Sequence, residues 1–186
     1  MPQLPLPIAP ETAITRVIMP ALSLLPARLT DARAIVLLLA IMLQESGLRY
    51  RWQVLDPRNP GRKGPARGLA QFERGGGVKG VIEHPLTRAM AADLCRHRGV
   101  MFDAVSVWDA LDDDDLLAAG FGRLLLFTDP APLPPLSAAG PAWNYYRRNW
   151  RPGAYDRGDE ETRNALVEKW RRNLALARAA WDAVEA

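Results

Sequence analysis

The stretch from Ala34 to Gly47, AIVLLLAIMLQESG, constrains the fold more than any other part of the chain. It opens with ten consecutive apolar residues, and a helix that is apolar on every face belongs in the interior of a globular domain. Ten residues are too few to span a bilayer, which requires about 20. The sequence therefore predicts a buried helix over about 31–46, capped by Thr30 or Asp31 and ended by Gly47.

Glu45 falls in the last turn of this expected helix, above Ile41 and Met42. Burial disfavours a charged carboxylate, and so does the negative C-terminal end of the helix dipole, so both raise the pKa of Glu45. A raised pKa is what a general acid working near neutral pH requires. The alternative interpretation is a solvated glutamate that pairs with Arg49 at i+4.

The composition is that of one globular domain with a mild positive charge. The chain has 186 residues, 48% of them hydrophobic, which is long enough for a core and too apolar for disorder. We expect an extended arm over residues 1–10, which include four prolines, and a single domain over 11–186. The net charge of +3 suits an anionic polymer such as cell-wall glycan or nucleic acid, without choosing between them. Cys95 is the only cysteine, which excludes a disulfide framework.

The rest of the pattern predicts a mainly α (α+β) chain with one β excursion. The segment Glu11–Leu25 is expected to be helical, with a kink or restart at Pro20. The glycine-rich segment Tyr50–Gly80 predicts a small β-hairpin or a loop region, not a helix. Further helices are expected near Pro85–Arg98, from Asp112–Asp115 to about Phe127, over Ser137–Asn149, and from Asp159 to about Val184.

The glycine-rich segment carries a second group of candidate residues. Gly68 would let the backbone come close to a ligand, and Gln71 offers a donor and an acceptor for sugar hydroxyl or acetamide groups. Glu73 supplies a second carboxylate. Neither GxxxxGK[ST] nor GxGxxG occurs here, so a phosphate-binding loop is discounted.

Three short motifs, taken in order, resemble those of the lysozyme-like superfamily, specifically soluble lytic transglycosylases and goose-type lysozymes. They are Glu45-Ser46 at the end of the buried helix, Gly68-Leu69-Ala70-Gln71 in the expected hairpin, and Ala142-Trp143-Asn144 in a later helix. The family motifs are Glu-Ser, Gly-Leu-Met-Gln and Ala-Tyr-Asn. The resemblance covers roughly residues 31–155, and its Tyr-Tyr…Trp-Arg-Pro-Gly ending is similar to phage and prophage members.

The resemblance implies a lysozyme-like fold, with a small β-hairpin beside a buried central helix, and a catalytic Glu45. Goose-type lysozymes carry an acidic residue just after their second motif, where this chain has Glu73; Asp56 is the other candidate for a second carboxylate. We expect no cofactor and no metal. The residues expected to bind substrate are Ser46, Gln71, Asn144, Tyr145 and Tyr146.

Two positions depart from the family motifs. Ala70 stands where methionine is usual, which is a mild change. Trp143 stands where the family has a tyrosine close to the catalytic glutamate. The missing hydroxyl would then have to come from Tyr145 or Tyr146, and we expect one of the two to face the cleft.

The chain is therefore expected to degrade peptidoglycan, by cleaving the β-1,4 bond between N-acetylmuramic acid and N-acetylglucosamine with Glu45 as general acid/base. The sequence leaves two reactions possible. An inverting muramidase needs a second carboxylate, whereas in a lytic transglycosylase the N-acetylmuramic acid 6-hydroxyl attacks internally and leaves an anhydro end. The alternatives are a catalytically inactive lysozyme-like module that binds glycan or serves as a virion part, and, on charge alone, a nucleic-acid binder.

The expected partners are glycan strands of peptidoglycan, with no nucleic acid and no stable membrane anchor. The first ten residues lack the basic region and apolar run of a secretory signal. A phage or prophage enzyme of this kind is expected to stay in the host bacterial cytoplasm until it is released to the cell wall, or to be virion-associated.

Overall fold

The structure is a computed structural model that describes residues 3–56 and 58–186. It is mainly α-helical with one small antiparallel sheet, which confirms the expected fold class. In chain order the elements are α1 (Pro10–Ala13), a π-helical turn (Ile14–Ile18), α2 (Met19–Leu22), a 3₁₀ turn (Ala27–Leu29), α3 (Ala32–Glu45), β1 (Trp52–Val54), β2 (Lys63–Arg67), β3 (Phe72–Glu73), a second π-helical turn (Arg74–Val78), α4 (Lys79–Glu83), α5 (Arg88–Arg98), α6 (Ala104–Ala110), α7 (Asp115–Thr128), α8 (Ala139–Trp150), α9 (Gly153–Arg157) and α10 (Glu160–Glu185).

Helix α3 is the buried helix that the apolar run predicts. Every residue from Ala34 to Gln44 is buried, and α10 and α7 pack against it. Asp31 is the N-cap, because its Oδ1 accepts a hydrogen bond from the Ala34 N–H at 2.8 Å. Gly47 follows the helix with φ +62°, the left-handed conformation that glycine adopts at little cost, and its N–H donates to the Met42 carbonyl.

The first helical segment changes pitch directly before Pro20, where a kink or restart was expected. Proline has no N–H to donate to the carbonyl four residues back. In the π-helical turn the Met19 N–H instead reaches back five residues to Ile14. The helical segment therefore continues through Pro20 in a wider turn rather than breaking.

Residues 1 and 2 of the expected arm lie outside the described residues. Residues 3–9 form an arm without helix or strand that bends at Leu6 and Pro7 before α1 begins. Its backbone is tied to the body of the protein, since the Ile8 N–H donates to the Leu48 carbonyl at 3.0 Å. The Leu4 carbonyl accepts a hydrogen bond from the Arg51 guanidinium at 2.8 Å. The arm therefore crosses the region that joins α3 to the sheet.

The sheet has the order β1-β2-β3, with both pairs antiparallel. The expected hairpin is thus confirmed, but the expectation that the segment to Gly80 contains no helix is wrong. The chain becomes helical at Arg74, although Gly75, Gly76 and Gly77 follow. A Cβ on Gly77 would lie 2.4 Å from the Phe72 ring, so glycine allows this turn to pack directly on that buried ring.

Like α4, the short helices α6 and α9 have no counterpart in the sequence expectations. Asp103 caps α6 by accepting hydrogen bonds from the Val105 and Ser106 N–H groups, each at 2.9 Å. Asp114 caps α7, which starts within the four aspartates as expected. Asp159 caps α10, also as expected, and its Oδ1 accepts from the Thr162 N–H at 2.8 Å.

Helix α10 is the longest element and packs along α3, and its buried residues include Trp170, Leu174 and Ala177. These are apolar positions that the helical spacing of the sequence places on one face. Among the helices of residues 3–56 and 58–186, none combines the length and apolarity needed to cross a membrane.

Candidate active site

Glu45 is the last residue of α3 and lies half-buried in the wall of an open pocket of about 270 Å³. The pocket lies between the end of α3, strand β1 and the loop that follows β2. Its lining residues are Glu45, Ser46, Tyr50, Trp52, Gln53, Val54 and Gln71. The structure therefore brings together the first two motifs of the sequence, at the place where the buried helix ends.

Tyr146 supplies a hydroxyl to Glu45. Its O–H donates to Glu45 Oε1 at 2.5 Å, across 101 positions of sequence. The Tyr146 ring is buried and stacks on Trp170 of α10, with centroids 4.7 Å apart and planes 16° apart. Trp143, which occupies the tyrosine position of the third motif, packs against the same ring at 5.4 Å. The aromatic packing therefore fixes the hydroxyl that holds the carboxyl.

Tyr145 points elsewhere. Its hydroxyl donates to the Leu126 carbonyl of α7 at 2.7 Å, and its side chain is buried in the core. Consecutive residues of a helix lie about 100° apart around its axis, so Tyr145 and Tyr146 cannot both face the pocket. Of the two candidates for the cleft, Tyr146 is the one that contacts Glu45.

Burial raises the pKa of Glu45 from its ordinary value of 4.5 to about 7. Two weaker effects act in the opposite direction: the hydrogen bond from Tyr146 and the positive charge of Lys169. Within the described part of the chain no ion pair joins Glu45 to Arg49, which is exposed. The site thus contains a carboxyl that is part protonated near neutral pH and can give up or accept a proton.

Ser46 ties the end of α3 to the second motif. Its hydroxyl, buried with the residue, lies 2.7 Å from the Leu69 carbonyl and 3.0 Å from the Met42 carbonyl. The same oxygen accepts a hydrogen bond from the Leu48 N–H at 3.2 Å. These contacts hold Glu45 at a fixed distance from the loop that carries Gln71.

The loop of the second motif, residues 68–71, begins with a glycine in the left-handed conformation. Gly68 has φ +72°, and a Cβ there would lie 3.1 Å from Ala118 and 3.2 Å from the Leu111 carbonyl. The glycine therefore allows close packing of this loop on the rest of the protein, and Gly68 is not among the residues that line the pocket. Gln71 lines the pocket with φ +53°, and its Nε2 donates to the Gly68 carbonyl at 2.8 Å.

Tyr145 and Tyr146 are not part of the pocket lining, and three further expected site residues also lie outside it. Glu73 is exposed on β3, next to buried Phe72, so strand alternation directs it to the opposite side. Asp56 accepts a hydrogen bond from the Arg58 N–H at 2.9 Å in the loop after β1. Asn144 is exposed on α8. Among the described residues, Glu45 is the one carboxylate in the pocket wall.

Strand β1 and its approach contribute pocket residues that the sequence reasoning did not identify. Tyr50, Trp52 and Val54 recur at every second position, the spacing that puts side chains on one face of a strand. Trp52 is half-buried, its indole N–H donates to the Pro60 carbonyl at 2.9 Å, and Lys63 lies 4.2 Å from the ring centroid. Alternation of aromatic and apolar residues was the available signal.

Lys169 was also missed. Read from the sequence alone, it belongs to the basic, solvated face of the C-terminal helix. In the fold it is half-buried, and its ammonium group donates to the Gln44 carbonyl, one residue before Glu45, at 2.5 Å. Only the packing of α10 on α3 brings it there.

Three of the four consecutive aspartates bind cationic side chains, and Asp114 also accepts a helix N–H group. Asp112 pairs with Lys63 at 2.7 Å, Asp114 with Arg98 at 2.7 Å, and Asp115 with Arg51 at 2.6 Å. In the described ranges no three His, Cys, Asp or Glu side chains are grouped so that they could hold a metal ion.

No family model, no curated protein and no solved structure matches this chain. The assignment of a function therefore depends on the geometry of the pocket and on the three short motifs.

Proposed function

We propose that this protein is a peptidoglycan-degrading glycosidase in which Glu45 is the general acid/base. The observation that carries the proposal is the placement of Glu45: a half-buried carboxyl with a pKa of about 7, held by Tyr146, in the wall of an open pocket lined by aromatic and amide side chains. Glycosidic cleavage needs an acid that protonates the leaving oxygen near neutral pH.

The lack of a second carboxylate in the described pocket wall favours the transglycosylase outcome. Protonated Glu45 gives its proton to the bridging oxygen, which leaves as the 4-hydroxyl of N-acetylglucosamine. The 6-hydroxyl of N-acetylmuramic acid forms a bond to C1 and gives its proton to the Glu45 carboxylate. The products are a 1,6-anhydro end and a regenerated Glu45 acid, so atoms and protons balance without a water molecule.

Tyr50 and Trp52 give the pocket the flat surfaces that suit the apolar faces of sugar rings. Tyr50 is 44% exposed, so its ring is available at the rim. Gln71 lies in the same lining and can bind hydroxyl or acetamide groups. Gln53 also lines the pocket, but its side-chain oxygen is buried, so the group it offers is its amide NH₂, as a donor. The pocket therefore combines stacking surfaces with amides next to the acid, as a glycan site requires.

Replacing Trp52 by alanine should raise the murein concentration needed for half-maximal activity about tenfold, since a lost aromatic stacking contact costs roughly 1 kcal/mol or slightly more. The matched control is Trp108→Ala. Trp108 lies outside the pocket lining, yet its indole N–H also donates to a proline carbonyl, Pro65, at 2.8 Å, and Arg67 lies 4.3 Å from its ring. Equal effects of the two substitutions would contradict a sugar-binding role for Trp52.

Mass spectrometry of the muropeptides released from purified sacculi tests the function and the product together. We expect 1,6-anhydro ends from the parent protein and from Glu73→Gln. If the parent released reducing ends and Glu73→Gln did not, Glu73 would instead be the base of an inverting hydrolase. If the protein bound sacculi but released no product, the enzyme hypothesis would be rejected in favour of an inactive glycan-binding module.

A further inference from the structure

Lys169 lies outside the pocket lining, beside the end of α3 that carries the acid. It lies on α10, is half-buried, and donates a hydrogen bond to the Gln44 carbonyl at the end of α3. This carbonyl belongs to the last turn of the helix, where the carbonyl groups form the negative end of the dipole. A positive charge is favoured at this position, and here it is adjacent in sequence to Glu45.

A second contact fixes the position of α10 relative to this helix end. Asn173 Nδ2, one turn after Lys169, donates to the Gln44 side-chain oxygen at 2.8 Å. The ammonium group of Lys169 is therefore held by packing and by a neighbouring hydrogen bond, rather than moving freely at the surface.

The groups that act on Glu45 come from two neighbouring helices. Tyr146 of α8 donates to the carboxyl, and Lys169 of α10 supplies the positive charge. The other side chains of the pocket wall are uncharged: Ser46, Tyr50, Trp52, Gln53, Val54 and Gln71. In the described part of the chain, Lys169 is thus the one charged side chain that acts appreciably on Glu45.

We propose that Lys169 is a positioning residue that sets the pH range over which Glu45 can donate its proton. The inference rests on the proposed function, since it concerns the same carboxyl. Lys169 does not line the pocket, so it acts through Glu45 and the end of α3 rather than through substrate.

The direction of the effect follows from the charges. A nearby ammonium stabilises the carboxylate and so lowers the pKa of Glu45, against the larger effect of burial. In return the charge of Glu45 raises the pKa of Lys169, which burial lowers. Removing the ammonium should therefore let Glu45 keep its proton to higher pH. Activity depends on protonated Glu45, so the fall of activity on the alkaline side of the pH profile should move to higher pH.

The experiment compares Lys169→Gln, Lys169→Met and Lys169→Arg with the parent. Glutamine keeps a donor for the Gln44 carbonyl without the charge, and arginine keeps the charge. Arg178→Met is the matched control, because it removes one positive charge from an exposed position of α10 nine residues further on. Two quantities are measured against pH: the rate of sacculus clearing, and the ¹³C shift of the Glu45 carboxyl, assigned by its absence in Glu45→Gln.

We expect both titration midpoints to rise by about one pH unit in Lys169→Gln and Lys169→Met, and to stay near the parent value in Lys169→Arg and Arg178→Met. Unchanged midpoints in Lys169→Gln would overturn the proposal, and so would equal shifts in Lys169→Gln and Lys169→Arg. The carboxyl shift is measured without substrate, so it reports on Lys169 even if the protein proves to have no activity on sacculi. If Lys169→Met does not fold, Lys169→Gln and Lys169→Arg still decide the outcome.

Discussion

Replacing Glu45 by glutamine is expected to reduce muropeptide release at least about 100-fold while leaving the fold intact. General acid catalysis by a positioned side chain typically contributes 10²–10⁴-fold, and an amide cannot donate the required proton. Glutamine has nearly the same shape and keeps an oxygen that can accept the Tyr146 hydrogen bond, which is 2.5 Å long in the parent. Clearing of purified sacculi, with both proteins at equal concentration, measures the loss.

The same substitution should stabilise the protein at neutral and alkaline pH. The pKa of Glu45 is about 7 in the folded protein, above its ordinary 4.5, so the folded state holds this proton to higher pH than the unfolded state. The stability of the parent must then fall as pH rises from about 4.5 to about 7. Glutamine does not ionise, so its advantage grows over this window and approaches about 3 kcal/mol above it.

Urea unfolding at pH 4 and pH 8 measures this difference. A matched control is Glu83→Gln, since Glu83 is an exposed glutamate that, among the described residues, pairs only with Lys79 in a surface contact of 3.7 Å. The control should change neither activity nor the dependence of stability on pH. A Glu45→Gln protein that clears sacculi like the parent would remove Glu45 from its proposed role. A Glu45→Gln protein that is inactive but no more stable than the parent at pH 8 would contradict the burial of the Glu45 carboxylate in the parent.

The elements that local sequence determines were predicted closely. The apolar run, with Asp31 before it and Gly47 after it, defines α3 almost to the residue. Asp159 likewise marks the start of α10. In these cases the capping groups, the hydrophobic pattern and the dihedral preferences lie within a few residues of each other, so nothing distant has to be known.

The parts that were not predicted depend on how side chains and helices pack in the folded protein. Gly75–Gly77 read as a loop, and only the buried ring of Phe72 explains why a helical turn packs there. Lys169 reads as a surface cation until α10 is placed against α3. The choice between Tyr145 and Tyr146 depends on how α8 is rotated about its own axis, which the motif does not fix.

The position of Glu73 outside the pocket lining could have been inferred from the sequence. Phe72 and Glu73 are consecutive in a strand, and side chains in a strand alternate between its faces. A buried Phe72 therefore implies that Glu73 points away from the core side, as it does. The same alternation groups Tyr50, Trp52 and Val54, three of the residues that line the pocket, although Gln53 between them lines it too.

A buried ion pair at the base of the sheet carries the second large expected effect. The Arg51 guanidinium, just before β1, binds the Asp115 carboxylate at the start of α7 with two parallel hydrogen bonds, Nε to Oδ1 at 2.8 Å and NH2 to Oδ2 at 2.6 Å. The two side chains are only 6% and 5% exposed. The same guanidinium also binds the Leu4 carbonyl, so one cation joins the arm, the sheet and α7.

Asp115→Asn is expected to destabilise the protein by about 3 kcal/mol, because it leaves a guanidinium buried without its counter-charge. The loss of a negative charge from the first turn of α7 adds to the cost. Urea unfolding at pH 7 measures the change. The control is Asp93→Asn, which removes an acid from an exposed pair with Arg96 and should change stability little.

The double variant Arg51→Met with Asp115→Leu separates the cost of a broken pair from the value of the pair itself. Replacing both ions of a buried pair by apolar side chains of similar volume is often neutral or stabilising, whereas removing one is not. We therefore expect the double variant to be more stable than Asp115→Asn. If Asp115→Asn and the parent unfold at the same midpoint concentration of urea, the Arg51 guanidinium has found another partner in the variant. Arg51 directly precedes Trp52, which lines the pocket. Parent-like unfolding of Asp115→Asn would therefore also show that this part of the pocket wall tolerates the loss of the ion pair.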